Sequence, residues 1–327
     1  MRVLVTGGAG YIGSVVADHL LRAGHAVTVL DNLVMGWREA VPAEAEFAQG
    51  DTGDEAALDQ LFSSHAFDAV MHFAALIEAG ESVKHPEQYF ENNSARTLTL
   101  LRVMLKHNIL RFVFSSTAAV YGEPQSVPIV EEHPLFPTNP YGESKLIVER
   151  MLGWFQRAHG LRYACLRYFN AAGAAPGRGE AHRSESHLIP IILQVPLGQR
   201  DALTIFGADY PTPDGTCVRD FIHVDDLATA HLLALHGLEA HETLICNLGS
   251  GTGFSVRQIV EIARKVTGHA IPVIERPRRA GDPAVLVASS EKARSLLGWS
   301  PQYSDVESII ASAWQWHRTH PRGYCSD

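Results

Sequence analysis

The sequence predicts a doubly wound parallel α/β sheet, with a smaller α/β lobe built from the C-terminal part of the chain. Three observations carry this. Short apolar runs alternate with helix-length amphipathic stretches through the first half of the chain, the pattern of a parallel sheet with crossover helices. The runs are apolar at nearly every residue instead of every second one, as expected when helices cover both faces of a sheet. A glycine-rich segment follows the first run directly and opens a helix, at the kind of strand end where such sheets bind ligands.

In chain order, the runs at 3–6, 26–30, 69–73, 111–115 and 163–167 read as strands, and the stretches at 12–23, 55–63, 92–107 and 140–159 as helices. No internal repeat or low-complexity tract interrupts them. After Asn170 the texture changes to Ala171-Ala172-Gly173-Ala174-Ala175-Pro176-Gly177 and then to polar segments rich in proline and glycine. With 327 residues, 46% of them hydrophobic, the chain is longer than one compact core requires. A first domain over 1–170, rejoined by the chain around 218–240, and a second lobe over 171–327 are expected.

Composition narrows the function. The formal net charge is −9, whereas a duplex-binding surface needs clustered cations to displace counterions from phosphates. Nucleic acid is therefore not an expected partner, and any anionic ligand must meet a local group of arginines. Cys165, Cys217, Cys246 and Cys325 are scattered without a CxxC pair and read as reduced thiols. The first apolar run is too short for a signal peptide, and no segment approaches the roughly 20 apolar residues of a membrane span. A cytoplasmic protein with no membrane partner is expected.

The glycine-rich segment is Gly7-Gly8-Ala9-Gly10-Tyr11-Ile12-Gly13. Gly7 permits a tight turn, Gly10 lets the backbone approach a pyrophosphate, and Gly13 allows the helix to pack closely on the sheet, as in a Rossmann-type dinucleotide site. The second strand ends at Leu30-Asp31, where a carboxylate can accept hydrogen bonds from ribose hydroxyls and would repel a 2′-phosphate. NAD is thus the expected cofactor. Asp51, in Gly50-Asp51-Thr52, could reach the adenine amino group or could simply cap the helix that begins near Glu55.

The strand at 111–115 runs into Ser115-Ser116-Thr117-Ala118-Ala119-Val120-Tyr121-Gly122, which places hydroxyls at the C-terminal sheet edge. Pro140-Tyr141-Gly142-Glu143-Ser144-Lys145 opens a later helix and puts Tyr141 and Lys145 on one helical face. A tyrosine with pKa near 10 needs a shift of about 3 units, or about 4 kcal/mol, to ionise near neutrality. A neighbouring ammonium and a cationic nicotinamide ring can supply that.

TGGAGYIG, SSTAAVYG and YGESK together resemble the extended short-chain dehydrogenase/reductase superfamily. Tyr168-Phe169-Asn170 and Val218-Arg219-Asp220-Phe221-Ile222-His223-Val224 are similar to its UDP-glucose 4-epimerase branch, and the resemblance covers essentially the whole chain. It implies a catalytic set of Thr117, Tyr141 and Lys145, with Tyr141 taking the proton from the sugar 4-hydroxyl, Thr117 hydrogen-bonding the reacting oxygen and Lys145 holding the nicotinamide ribose. It places cofactor contacts on Gly7, Gly10, Tyr11, Ile12, Gly13, Asp31, Asn32, Asp51, Thr52, Phe73, Ala74, Ala75, Asn93, Ser115, Tyr141, Lys145 and Phe169. It places UDP-sugar contacts on Thr117, Tyr141, Asn170, His187, Leu188, Thr204, Phe206, Arg219, Arg279 and Asp282, the last two within Arg279-Ala280-Gly281-Asp282.

Two positions depart from the family pattern. Ile77, after Phe73-Ala74-Ala75-Leu76, stands where some members carry a phosphate-contacting lysine. Leu286 stands where a bulky tyrosine or a small residue decides whether an N-acetyl group fits beside the sugar, so UDP-N-acetylhexosamine and UDP-pentose pairs stay open. A 4,6-dehydratase needs an acid pair after the active-site hydroxyl, and Ala118 and Ala119 hold those positions. A non-catalytic NAD sensor has no use for the hydroxyl, tyrosine and lysine together. The 17 histidines show no HxH or HxxxH spacing, so no metal site is expected, and His72 and His223 read as core histidines. A homodimer is expected from pairing of the apolar helices at 92–107 and 145–159 across a two-fold axis.

Overall fold

In the computed structural model, residues 1–279, 282–303 and 305–325 are described. Seven strands form the main sheet: β1 (Arg2–Thr6), β2 (Ala26–Asp31), β3 (Glu46–Gln49), β4 (Ala69–His72), β5 (Arg111–Thr117), β6 (Arg162–Tyr168) and β7 (Thr243–Leu248). All pairings are parallel and the order is β7-β6-β5-β4-β1-β2-β3. The strand order reverses between β1 and β4, and ligands of open parallel sheets bind in the crevice at such a reversal.

Two apolar layers sandwich this sheet. On one face α1 (Tyr11–Arg22) packs with α5 (Val224–Gly237) through Val15, Val16, Leu20, Leu227 and Leu235. On the other face α2 (Glu55–Ser64), α3 (Arg96–Lys106) and α4 (Pro140–His159) bury Leu58, Phe62, Leu100, Leu101, Met104, Val148 and Leu152. Because both faces are covered, β1 is buried from Val3 to Thr6 and β4 along its whole length, which is why these strands show no alternation. The edge strand β3 is only half covered and reads Glu-Phe-Ala-Gln, too weak a signal to stand out in the sequence.

The remaining elements gather around a second core. The strand Val218–His223 pairs with Asn170–Ala172, Gly253–Ser255 and Val285–Leu286, and Leu203–Phe206 pairs with Val273–Arg276. The helices α6 (Val256–Thr267) and α7 (Val306–Thr319) close over Ile192, Leu193, Phe221 and Ile205. The buried Asp220 carboxylate staples three segments here, accepting from Ser250 N and Oγ at 2.7 Å each, Gly251 N at 3.1 Å and Ala288 N at 3.1 Å. The segment 218–240 supplies this central strand and then α5 against the main sheet, and the last sheet strand comes later, at Thr243–Leu248.

One buried ion pair ties β6 to α4. Arg167 donates from Nε to Glu149 Oε1 at 3.0 Å and from Nη2 to Oε2 at 2.5 Å, while Ser116 Oγ donates to Oε1 at 2.5 Å. Arg167 Nη1 also reaches the Tyr121 hydroxyl at 2.9 Å. Removing one partner strands the other charge in a low-dielectric layer. We expect Arg167→Met to lower the unfolding free energy by about 3–5 kcal/mol in urea titrations, and the double change Arg167→Met, Glu149→Leu to recover most of that loss.

Candidate active site

A cavity of about 330 Å³ opens at the C-terminal edge of the sheet. Its floor is the turn after β1. Gly7 has φ +72°, and a Cβ there would lie 2.4 Å from Ala74 N. A Cβ on Gly13 would meet Gly7 O at 2.3 Å, so the helix can approach the turn this closely only as glycine. Gly10 caps α1 without a side chain, and the first turn contains no acid, leaving its N–H groups and the positive helix end available to an anion. Asp31, at the end of β2, is buried. Its carboxylate accepts from Ala9 N at 3.0 Å and Leu33 N at 2.9 Å, so each oxygen keeps capacity for a further donor. Burial raises its pKa.

The wall opposite comes from β5 and α4. Side chains alternate along a strand: Ser115 and Thr117 line the cavity, while Ser116 points to Glu149 on the other face. Asn139 caps α4, accepting from Gly142 N at 2.9 Å, with Pro140 in the first turn, and this start carries Tyr141 and Lys145 to the same wall. The Tyr141 phenol is pushed above its ordinary value by burial; its hydrogen bond with Thr117 opposes the shift and the Glu78 carboxylate adds to it. Burial lowers Lys145 to about 7, and its Nζ donates to Ser115 O at 2.8 Å while lying 4.9 Å from the Phe114 ring centre.

Of the residues singled out by sequence, Gly7, Gly10, Tyr11, Ile12, Gly13, Asp31, Asn32, Asp51, Thr52, Phe73, Ala74, Ala75, Ser115, Thr117, Tyr141, Lys145, Phe169, Asn170, His187 and Leu188 line this cavity, as does Ile77. Asp51 is not the cap of α2, a position held by Asp54; it pairs with Arg96 at 2.5 Å and accepts from Asn32 Nδ2 at 2.9 Å. Asn93 lies behind the wall. It accepts from Leu76 N at 2.9 Å and donates to Leu76 O and Ser144 Oγ at 3.0 Å each, which fixes the segment after β4.

Thr204, Phe206, Arg219, Arg279 and Asp282 are not on the cavity wall. Arg219 pairs with Asp282 and donates to Val218 O at 2.7 Å, and the Arg279 guanidinium lies 4.0 Å from the Phe206 ring centre. The intervening Ala280 and Gly281 lie outside the described residues. Leu286 sits beside Arg219 in the small sheet and, like Phe169, packs against the apolar cluster of Ala118, Val120, Tyr121, Ile129 and Leu146. His72 and His223 are core histidines: His72 bonds Thr6 and Thr97, and His223 bonds Ser312 and caps α5.

The lack of HxH or HxxxH spacing does not keep potential ligands apart in space. Glu180, His182, Glu185 and His187 bring their donor atoms within 4.8 Å of one another. Sequence spacing concealed this, because a loop and not a helix or strand assembles the group. Glu180, His182 and Trp37 also line the cavity and had no local signature.

A family model described as the NAD dependent epimerase/dehydratase family matches residues 3–249. The chain belongs to that family. It is 55% identical to the UDP-glucose 4-epimerase of Halalkalibacterium halodurans, over 100% of this chain and 98% of that one. It superposes with TM-score 0.97 on a crystal structure of a UDP-glucose 4-epimerase, at 51% identity with all of both chains covered. It also matches the Bifidobacterium longum UDP-glucose 4-epimerase in complex with NAD+ and UDP, with TM-score 0.95 and 38% identity, covering 99% of this chain and 100% of that one.

NAD is the cofactor of this epimerase/dehydratase chain, and the cavity suits it: an uncapped helix start for phosphate, a glycine turn that leaves no side chain in the way, and a buried carboxylate with spare acceptor capacity. The buried Lys145 makes the cofactor-free protein pH-sensitive. Its folded pKa of about 7 lies below the ordinary 10.5, so between these values the unfolded chain binds more protons and stability rises with pH. In cofactor-free protein, Lys145→Met is expected to raise the melting temperature most below pH 7, with the gain shrinking steadily towards pH 10; a gain independent of pH would contradict the assignment.

Proposed function

We propose that the protein interconverts UDP-galactose and UDP-glucose by NAD-dependent epimerisation at C4, through a transient 4-keto sugar. The observation that carries this reading is the convergence of Thr117, Tyr141 and Lys145 on the same cavity wall as the glycine turn and Asp31. The names of the relatives agree with it. The turn after β1 and Asp31 would hold NAD, which would supply the hydride acceptor and donor for the sugar C4.

The chain's own residues handle the proton and the geometry. The Tyr141 phenol oxygen takes the proton from the 4-hydroxyl and gives it back at the end of the cycle. Thr117, already hydrogen-bonded to that phenol, orients the reacting oxygen. Burial keeps Tyr141 protonated until positive charge enters the cavity with the cofactor, and Lys145, one helical turn along α4, adds to that charge once protonated. Asp31 and the turn after β1 hold the adenosine half, and its buried carboxylate excludes a 2′-phosphate. Asn170, which donates to Asp220 O at 2.9 Å, joins the cavity to the strand bearing Arg219, where Arg219 and Arg279 meet the diphosphate and Phe206 and Thr204 flank the base. Dehydration is disfavoured because Ala118 and Ala119 follow Thr117 and carry no acid. On this reading the NAD-binding part comprises 1–170 with α5 and β7, and the rest holds the nucleotide-sugar.

Purified protein incubated with UDP-galactose and no added reductant is expected to form UDP-glucose, followed by chromatography. Tyr141→Phe should lower kcat by at least 10²–10⁴-fold with NAD still bound. Absence of UDP-glucose with NAD bound would overturn UDP-galactose as substrate and turn attention to the N-acetylated and pentose nucleotides.

A homodimer built on α3 and α4 is proposed on the exposed apolar side chains Leu98 (38%) and Trp154 (66%) of those helices. No helix among the described residues is long and apolar enough to cross a membrane, and we place the enzyme in the cytoplasm. Sedimentation equilibrium should find a dimer that Trp154→Glu weakens at least tenfold; a wild-type monomer at all concentrations would remove the proposal.

A further inference from the structure

The loop between the hairpin at Ala174–Gly179 and the helix Leu188–Leu193 assembles a ligand set of two imidazoles and two carboxylates. Glu180 Oε1 lies 2.5 Å from His187 Nδ1 and 3.3 Å from His182 Nδ1. Glu185 contributes Oε2 at 3.4 Å from His182 Nδ1 and Oε1 at 3.7 Å from His187 Nδ1. A tetrahedral zinc ion with bonds of about 2.0–2.1 Å separates its donors by about 3.3–3.4 Å; Glu180 Oε1 and Glu185 Oε2 already stand at such distances from His182 Nδ1, and one donor atom from each of the four residues lies within 4.8 Å of the others. The Glu180–His187 pair must open to hold an ion.

The surroundings resemble a built site more than a surface cluster. The Glu180 residue is only 3% exposed. The Glu185 carboxylate is oriented by two backbone donors, Ser186 N and His187 N, at 2.8 Å each, the kind of support that fixes ligating carboxylates. Two carboxylates with two imidazoles that had each lost a proton would balance a divalent charge. Arg183, the adjacent cation in the loop, stacks its guanidinium 4.2 Å from the Trp37 ring centre. A second cavity of about 380 Å³ adjoins the group, lined by Glu180, His182, Glu185 and His317 together with Arg183 and Arg322.

We propose that Glu180, His182, Glu185 and His187 bind one first-row divalent cation, Zn²⁺ by ligand preference, and that the ion clamps this loop as a wall of the cofactor cavity. The placement supports the clamp. Glu180, His182 and His187 line the dinucleotide cavity on one side, His182 packs edge-on against Tyr11 with ring centres 6.4 Å apart, and Trp37 Nε1 donates to Ala181 O at 2.6 Å. Fixing the loop therefore fixes the surface that Tyr11 and Trp37 present to the cofactor.

The test uses the full chain after chelator treatment, titrated with Co²⁺ as a spectroscopic stand-in and then with Zn²⁺. One equivalent of Co²⁺ per chain should give an intense visible d–d absorption of tetrahedral type, displaced by Zn²⁺, and Zn²⁺ should raise the melting temperature. His182→Gln and Glu185→Gln, each checked for native circular dichroism, should each lose the band and weaken Zn²⁺ binding at least 100-fold. Absence of bound metal in wild-type protein at millimolar Co²⁺ and Zn²⁺ overturns the site and leaves the group as imidazolium–carboxylate ion pairs; binding that both variants retain overturns it equally, since the ion then sits elsewhere.

Discussion

The close approach of two strand ends governs the architecture of the cleft. Gly7 turns the chain so near to Ala74 that a Cβ would lie 2.4 Å from its backbone nitrogen, so β1 and β4 can end side by side at the reversal of the sheet only while that position carries no side chain. From this contact a continuous set of bonds leads to the catalytic wall. The segment after β4 is gripped at Leu76 by Asn93. Asn93 donates to Ser144 Oγ, Ser94 donates to Ser144 O at 3.0 Å, and Ser144 donates to Tyr141 O at 2.7 Å. The turn after β1 and the wall that carries Tyr141 are thus one hydrogen-bonded unit, and a shift in the first would reach Tyr141 without either touching a ligand.

The two faces of β5 show how one strand can separate opposite electrostatic regimes. Behind it, Glu149 and Arg167 satisfy each other through two parallel bonds. In front of it, Tyr141 and Lys145 have no such partner, and burial drives both towards their neutral forms. Burial there makes the neutral phenol and the neutral amine less costly relative to their charged forms. Charge therefore arrives with the ligands, and the groups respond when a cationic ring or an anionic oxygen is placed against them, which is the behaviour general acid–base chemistry needs.

Much of this was legible in the sequence, for identifiable reasons. Strands covered on both faces are apolar throughout, so β1, β2, β4, β5 and β6 stood out, and α4 followed from its Asn-Pro start and apolar face. What the sequence concealed depends on contacts made at long range. The helix at 92–107 begins instead with a π-helical stretch, Phe90–Ala95, before α3, and this turn aims Asn93 at Leu76 and away from the cavity. The edge strand β3 was only implied, and β7 lies beyond the segment where the chain was expected to return. The Glu180–His187 group carries no periodicity because irregular backbone brings it together.

The division of the nucleotide-sugar contacts into two sets bears on how a ligand could turn over without leaving. The hydroxyls that would meet the sugar lie in the cavity, whereas Arg219, Arg279 and Phe206 lie on the second lobe, linked to it through Asn170 and Asp220. On the proposed reading the uridine diphosphate is anchored at a distance from the reacting carbon. Binding energy from that remote part holds the substrate through the reaction, so the walls around the sugar need few directional contacts of their own. A ketone gripped tightly at every hydroxyl could accept the hydride on only one face; one tethered by its diphosphate can present both. Separation of the anchor from the chemistry is therefore what allows a single tyrosine and a single cofactor to serve both epimers.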